Sequence, residues 1–465
     1  MGSSCLSPAA VAKQCAYGLG RASHERNACP SQGKRGTGQD MATSGFELLS
    51  GNGWIWDHVM TTIVATKAAR PLTAIPAGVW ALGFVSLLMD FSSEMTHGLL
   101  PLYLVSVLGA PMLAVGALEG TAEAATLIVK IFSGALSDWL GRRKLLAVLG
   151  YGLAAFAKPM FPLAPTVGWL FAARFIDRIG KGIRGAPRDA LVADLSPAEI
   201  RGASFGLRQS LDTIGAFAGP LLAIAIMWLT ANNFTAVFWV AVVPAFLSLL
   251  IISFAVREPY RSASLRQKRN PISRSELSRL NAAYWWLTGI GGAFTLARFS
   301  EAFLILKAQE TGLPVVLGPA VLVTMNAVYA FFAYPAGALA DRTDRCTIVA
   351  VGIGVLVAAD LLLACTHGLT GLILGVMLWG LHMGLTQGLL AALVADIAPA
   401  ELRGTAFGMF NLSCGVATLL ASIVAGALWD LAGSEAVFLA GGGFALLAFL
   451  GLLAVRNHLP KTAHS

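Results

Sequence analysis

The chain has 465 residues, 56% of them apolar and only 12% charged, with a formal net charge of +8. Ordinary globular chains are about a quarter charged, and a soluble chain of this length would need far more polar surface, so the composition excludes that class and fits a lipid-facing protein. The positive balance does not call for nucleic acid, because basic residues at the cytoplasmic ends of membrane helices give the same sum.

Residues 1–74 are polar and rich in Gly, Ser and Ala, without the ordered regions of a signal peptide. They are read as a disordered cytoplasmic extension, with Met41 or Met60 as alternative translation starts. The run Trp54 to Ala65 is too short to span a bilayer, which takes about 20 mainly apolar residues. From Ile75 onward twelve stretches meet that length. They lie near 75–106, 111–136, 144–163, 166–190, 203–229 and 234–256, then 283–306, 314–340, 347–366, 369–395, 404–430 and 434–456. The expectation is an all-α membrane protein of twelve transmembrane helices in two pseudo-symmetric six-helix halves.

Internal repetition supports the two halves. "ALVADLSPAEIRGASFG" from Ala190 recurs as "ALVADIAPAELRGTAFG" from Ala392, "GALSD" from Gly134 recurs as "GALAD" from Gly337, and "DFSSE" from Asp90 faintly recurs as "RFSE" from Arg298. The expected organisation is a half at 75–256, a basic cytoplasmic linker at 257–281, a half at 282–456 and a tail at 457–465. Links after the first, third and fifth spans carry no Lys or Arg. Arg142, Arg143, Lys144 and Arg201 follow the second and fourth spans. Positive loops stay in the cytoplasm, so both termini are expected there. The six cysteines are scattered, with no spacing for a disulfide framework or a zinc site.

"GALSDWLGRRK" resembles the signature after the second helix of the major facilitator superfamily. It places Gly134, Asp138, Gly141, Arg142 and Arg143 in a tight cytoplasmic turn. Trp139 stands where a basic residue is usual. The second copy supplies Gly337, Asp341, Arg342 and Arg345, with Asp344 in the usual glycine position. The resemblance covers about 75–456 and implies a gating role for these residues. On the fifth span Gly206, Gly215, Gly219 and Pro220 are similar to the motif associated with antiporters of that superfamily, although its two trailing glycines are absent.

The fourth span carries Arg174, Asp177, Arg178, Lys181 and Arg188 on one stripe at helical spacing. Each lipid-facing charge at mid-bilayer costs about 2.5–3.5 kcal/mol on insertion scales, so the stripe must face water, acidic partners or a cavity. It resembles the fourth-helix arginine motif of the superfamily, with Arg178 the better match and Arg174 the alternative. Asp90, Glu94 and His97 share a face of the first span. Glu119 and Glu123 do so on the second, with Arg298 and Glu301 on the seventh. A carboxylate removed from water holds its proton more tightly, so Asp90 or Glu94 is the expected proton site. Arg178, Lys181, Arg298 and Glu301 are expected to meet the substrate. His382 alone reads as a packing histidine.

The resemblance implies a proton-coupled secondary antiporter of the inner membrane, exporting a small molecule or ion by alternating access. The expected partners are the bilayer, protons and that solute. No cofactor is expected, and the chain is expected to be a monomer. No Gly-rich loop ending in Lys-Ser/Thr suggests ATP binding, and no enzyme motif appears. Two alternatives stand beside this: divalent-metal efflux of the nickel-resistance kind, and a receptor built on a transporter fold.

Overall fold

The computed structural model describes residues 75–197, 200–258, 277–340, 343–399 and 402–455. The expectations for the N-terminal extension, most of the linker and the tail fall outside them. Every regular element among the described residues is helical: α1 (Ala77–His97), α2 (Leu100–Ser106), α3 (Met112–Leu140), α4 (Arg143–Ala157), α5 (Val167–Leu195), α6 (Arg201–Leu229) and α7 (Phe234–Phe254). After the linker come α8 (Ala282–Ala297), α9 (Ala302–Glu310), α10 (Ala320–Ala340), α11 (Arg345–Cys365), α12 (Leu369–Ile397) and α13 (Arg403–Val455).

Local sequence sets the helix ends. The Asn233 and Asn281 side chains accept the Ala236 and Tyr284 amides, and Asp344 accepts that of Cys346, so α7, α8 and α11 start on polar caps. α3 stops at Gly141, whose φ of 64° is left-handed and free of a Cβ penalty. Within α13, Gly433 (φ 85°, ψ 174°) interrupts the helical dihedrals, so two helices meet there in one element.

The sequence reading takes 75–106 and 283–306 as unbroken spans, and the structure breaks both. α1 yields at Gly98 to α2, whose first turn holds Pro101, a residue without the N–H that a continuous ladder needs. α8 yields at Arg298 (φ −101°, ψ 68°) to α9. Eight stretches among the described residues are long and apolar enough to cross a membrane. Apolar side chains such as Phe254 and Leu431, both more than 80% exposed, cover the outside, as lipid contact allows.

Packing repeats along the chain. α1 packs on α6 and α7, α3 on α5, and α4 on α5 and α7. In the same order α8 packs on α13, α10 on α12, and α11 on α12 and α13. Side chains repeat the pattern. Arg143 pairs with Asp194 at 2.6 Å and Arg345 with Asp396 at 2.5 Å, each pair 51 residues apart. Lys158 meets Asp177 at 3.1 Å, and Trp379 Nε1 donates to Asp360 at 3.0 Å, both pairs 19 residues apart. The same joint is ionic in one set of helices and aromatic in the other.

The two sets meet along α3 with α13 and α6 with α10. The first seam is tight at the end near Met112. A Cβ on Gly116 would lie 2.0 Å from the Ser422 carbonyl oxygen, and one on Gly426 2.4 Å from that of Met112. Toward Gly141 it loosens: a Cβ on Gly120 would lie 2.9 Å from its neighbour, on Gly415 3.4 Å and on Gly408 3.6 Å. At the tight end the Asp430 carboxylate accepts the Met112 and Leu113 amides at 2.9 and 2.8 Å, capping α3 across the seam. Losing such a cap costs about 0.5–2 kcal/mol. Asp430→Ala is therefore expected to lower the thermal midpoint in detergent, while Asp430→Asn keeps most of it through its amide oxygen.

Candidate functional site

A cavity of about 380 Å³ lies between the two sets of helices. One wall is built from α1, α3 and α5 and carries Glu94, His97, Glu119, Glu123, Arg178 and Lys181. The opposite wall comes from the α8–α9 break, with Arg298, Phe299, Ser300 and Glu301, and from Asn326 on α10, Trp379 on α12 and Thr418 on α13.

The charged wall is a pair of ladders. Glu119 and Glu123, one turn apart on α3, face Arg174 and Arg178, one turn apart on α5, at 2.8 and 3.2 Å. Arg174, Arg178 and Glu119 are almost wholly buried. Charges removed from water persist only with partners, so these rungs fix α3 against α5. His97 sits between two carboxylates, its Nδ1 3.5 Å from Glu94 and its Nε2 3.7 Å from Glu119. It thereby links α1 to α3. Lys181, Arg298 and Glu301 also line the cavity, and they form no ion pair within 4 Å among the described residues. The Arg298 guanidinium instead lies 5.6 Å over the Phe294 ring.

Of the residues singled out in the sequence, the cavity gathers Glu94, His97, Arg178, Lys181, Arg298 and Glu301. Three others lie outside its lining. Arg174 stands behind it on Glu119. Asp177 holds Lys158, which also donates to Ser93 Oγ at 3.1 Å. Asp90 lies 3.8 Å from Arg184, within a second ionic group where Arg188 and Arg208 approach Asp212 at 3.7 and 3.5 Å. His382 is fully buried outside the lining, edge-on to Trp379 at 5.0 Å.

The motif residues are spread over several places. A Cβ on Gly134 would lie 3.4 Å from Ala186 Cβ, and Gly141 ends α3. Arg142 is the residue before α4, and Arg143 and Arg345 make the repeated pairs above. A Cβ on Gly337 would point into open space. The Asp138 side chain, Asp341 and Arg342 lie outside what the structure describes. On α6, Gly215 and Gly219 press against α1: a Cβ there would fall 2.4 Å from the Leu87 carbonyl oxygen and 2.6 Å from that of Phe91. Pro220 is buried beside them, while Gly206 faces open space. These glycines therefore serve the α1–α6 contact rather than the seam between the two sets.

Glu119 and Glu123 were legible as ionisable but not as cavity residues. Their i, i+4 spacing matches that of Arg174 and Arg178 on the neighbouring helix, and that match was the available signal. Asn326, Trp379 and Thr418 carry no charge, so hydropathy gave no hint of them.

The family model described as Major Facilitator Superfamily matches residues 82–328 and 302–465. An uncharacterised MFS-type transporter of Methanocaldococcus jannaschii is 33% identical over 386 residues, covering 81% of this chain and 94% of that protein. The inner membrane transport protein YajR of Escherichia coli is 24% identical over 379 residues, covering 78% and 79%. Among solved structures, the nucleoside transporter NupG superposes with a TM-score of 0.69 at 14% identity, over 81% of this chain and 99% of that one. A POT family transporter bound to 5-aminolevulinic acid gives 0.70 at 14%, over 84% and 100%. With its helices packed in a repeated order around a charged cavity, the chain belongs to the Major Facilitator Superfamily and is a multi-pass membrane transporter, not an enzyme.

Proposed function

We propose that this transporter is a proton-coupled antiporter that exports a small solute by alternating access. Twelve crossings would form two six-helix halves, 75–256 and 282–456, joined by the basic linker 257–281, with both termini in the cytoplasm. The observation that carries this reading is the seam between α3 and α13. It is tight and capped by Asp430 at one end and loosens toward the other, with an ionisable cavity between. Two rigid sets that rock about such a cavity expose it to one side at a time. Arg142, Arg143 and Lys144 lie at the loose end, and positive residues favour the cytoplasm. The structure then corresponds to the inward-facing state, inside the cytoplasmic membrane.

Proton loading is assigned to Glu94 in the cavity and Asp90 one turn away. Glu94 contacts His97, and Asp90 faces Arg184, so each can exchange a proton for a basic neighbour when the halves move. Gly134, Asp138, Gly141, Arg142 and Arg143, with Gly337, Asp341, Arg342 and Arg345, are assigned to gating at the cytoplasmic end. The divalent-metal alternative gains no support, since the described residues hold no group of three His, Cys, Asp or Glu able to bind a metal ion.

The test is solute-driven proton movement in proteoliposomes, followed with a pH-sensitive dye. Wild-type protein is expected to release protons against solute and to lose this with a protonophore. Glu94→Gln or Asp90→Asn is expected to cut coupled movement at least about tenfold, as loss of one essential charged interaction of this size allows. Full coupling in both variants would end the proton assignment.

A further inference from the structure

Resting on that transport reading, we propose that the solute is a small organic anion with a ring-bearing apolar body. Its negative end is held between Lys181 of α5 and Arg298 at the α8–α9 break.

Sorting the cavity charges leads to this class. Four glutamates line it, which at first suggests a cation. Two of them are held by arginines, Glu119 by Arg174 and Glu123 by Arg178, and Glu94 contacts the His97 ring at 3.5 Å. What remains without an ion pair is two cations, Lys181 and Arg298, and one carboxylate, Glu301. The cations come from opposite walls. Neither has a carboxylate within 4 Å among the described residues, so an arriving anion can contact either directly. A carboxylate accepts charge-assisted hydrogen bonds from such groups, and these are the strong ones. An entering cation would find only Glu301 outside an ion pair and would meet the like charges of Lys181 and Arg298.

The body of the solute follows from the other wall. Phe299 and Trp379, 4% and 1% exposed, back the cavity wall with ring centroids 5.7 Å apart. Trp379 is fixed by its bond to the fully buried Asp360 and by its edge contact with His382. It occupies the position that Asp177 holds in the other set of helices. One set therefore keeps an ion pair at this joint where the other presents an indole. Rigid aromatic faces suit a flat apolar group. At about 380 Å³ the cavity lies near the small end of ligand sites.

The test uses three probes of one shape and different charge: 3-phenylpropionate, phenylalanine and phenethylamine. Binding is read as the shift in thermal midpoint of the full chain in detergent and by isothermal titration. The expected order is 3-phenylpropionate first, phenylalanine weaker and phenethylamine absent. Lys181→Gln and Arg298→Gln are each expected to weaken 3-phenylpropionate about tenfold or more, and Arg298→Lys to restore part of it. Each variant's own melting curve without ligand reports whether it folds. Binding of phenethylamine as tight as that of the anion, tighter binding of phenylalanine, no binding by any probe, or unchanged binding in both glutamine variants would overturn the assignment. Failure of the transport reading is separate: 3-phenylpropionate would bind with the expected charge dependence yet not enter proteoliposomes.

Discussion

Asp177→Asn is expected to destabilise the protein by about 3–5 kcal/mol, the usual result of removing one partner of a buried ion pair. Asp177 and Lys158 are 2% and 1% exposed and 3.1 Å apart. With the carboxylate replaced by a neutral amide, the ammonium stays between α4 and α5 with that amide and the Ser93 hydroxyl beside it but no counter-charge. The loss is thus the stranded charge, and removing both charges should reverse it. Lys158→Met combined with Asp177→Leu is expected to melt near or above the wild type, because apolar replacements of buried pairs are often neutral or stabilising. The other set of helices already holds this joint without a cation, through Asp360 and Trp379. Thermal unfolding in detergent, monitored on purified protein, decides between these outcomes. An Asp177→Asn variant that melts with the wild type would mean that water reaches Lys158.

Gly116→Val is expected to disrupt the seam where it is tightest. The first atom of the new side chain would fall 2.0 Å from the Ser422 carbonyl oxygen. That neighbour is backbone, so α3 and α13 must separate or strain. Overpacking of this kind costs about 1–3 kcal/mol and at times more. On the proposed alternating-access reading the strain belongs to the state in which this end is closed, so the variant is expected to favour the opposite state. Ala425→Cys, at a buried site of the same end, is expected to react several-fold faster with a membrane-impermeant maleimide in the Gly116→Val background than alone. Gly206→Ala, in open space, should leave that rate unchanged. Equal labelling in both backgrounds would remove the seam from the rocking motion.

The sequence carried the helices through hydropathy and their equivalence through repeated strings. "ALVAD" before each "RG" placed Asp194 and Asp396, and both proved to anchor an arginine at the same distance along the chain. It could not carry the breaks at Gly98 and Arg298. Both lie within apolar runs whose average hides a local change of backbone, and the second has no proline to betray it. It also could not rank Asp90 against Glu94. Their spacing puts them on one face of α1, but depth along that face decides which meets the cavity, and depth depends on how α1 leans on α6. That lean is set by Gly215 and Gly219, whose lack of side chain brings α6 against the α1 backbone. The aromatic wall was silent because an intramembrane Trp looks like any lipid-facing residue until its Nε1 finds Asp360.

The charged face of α5 bears on how the polypeptide is made. This helix is absent from the stretches apolar enough to cross a membrane unaided, and each basic group left facing hydrocarbon would cost about 2.5–3.5 kcal/mol. Two of its compensating acids belong to α3 and one to α1, both synthesised earlier, and one to α6. α5 is therefore expected to enter the lipid together with α3, with Glu119 and Glu123 covering its charge on the way.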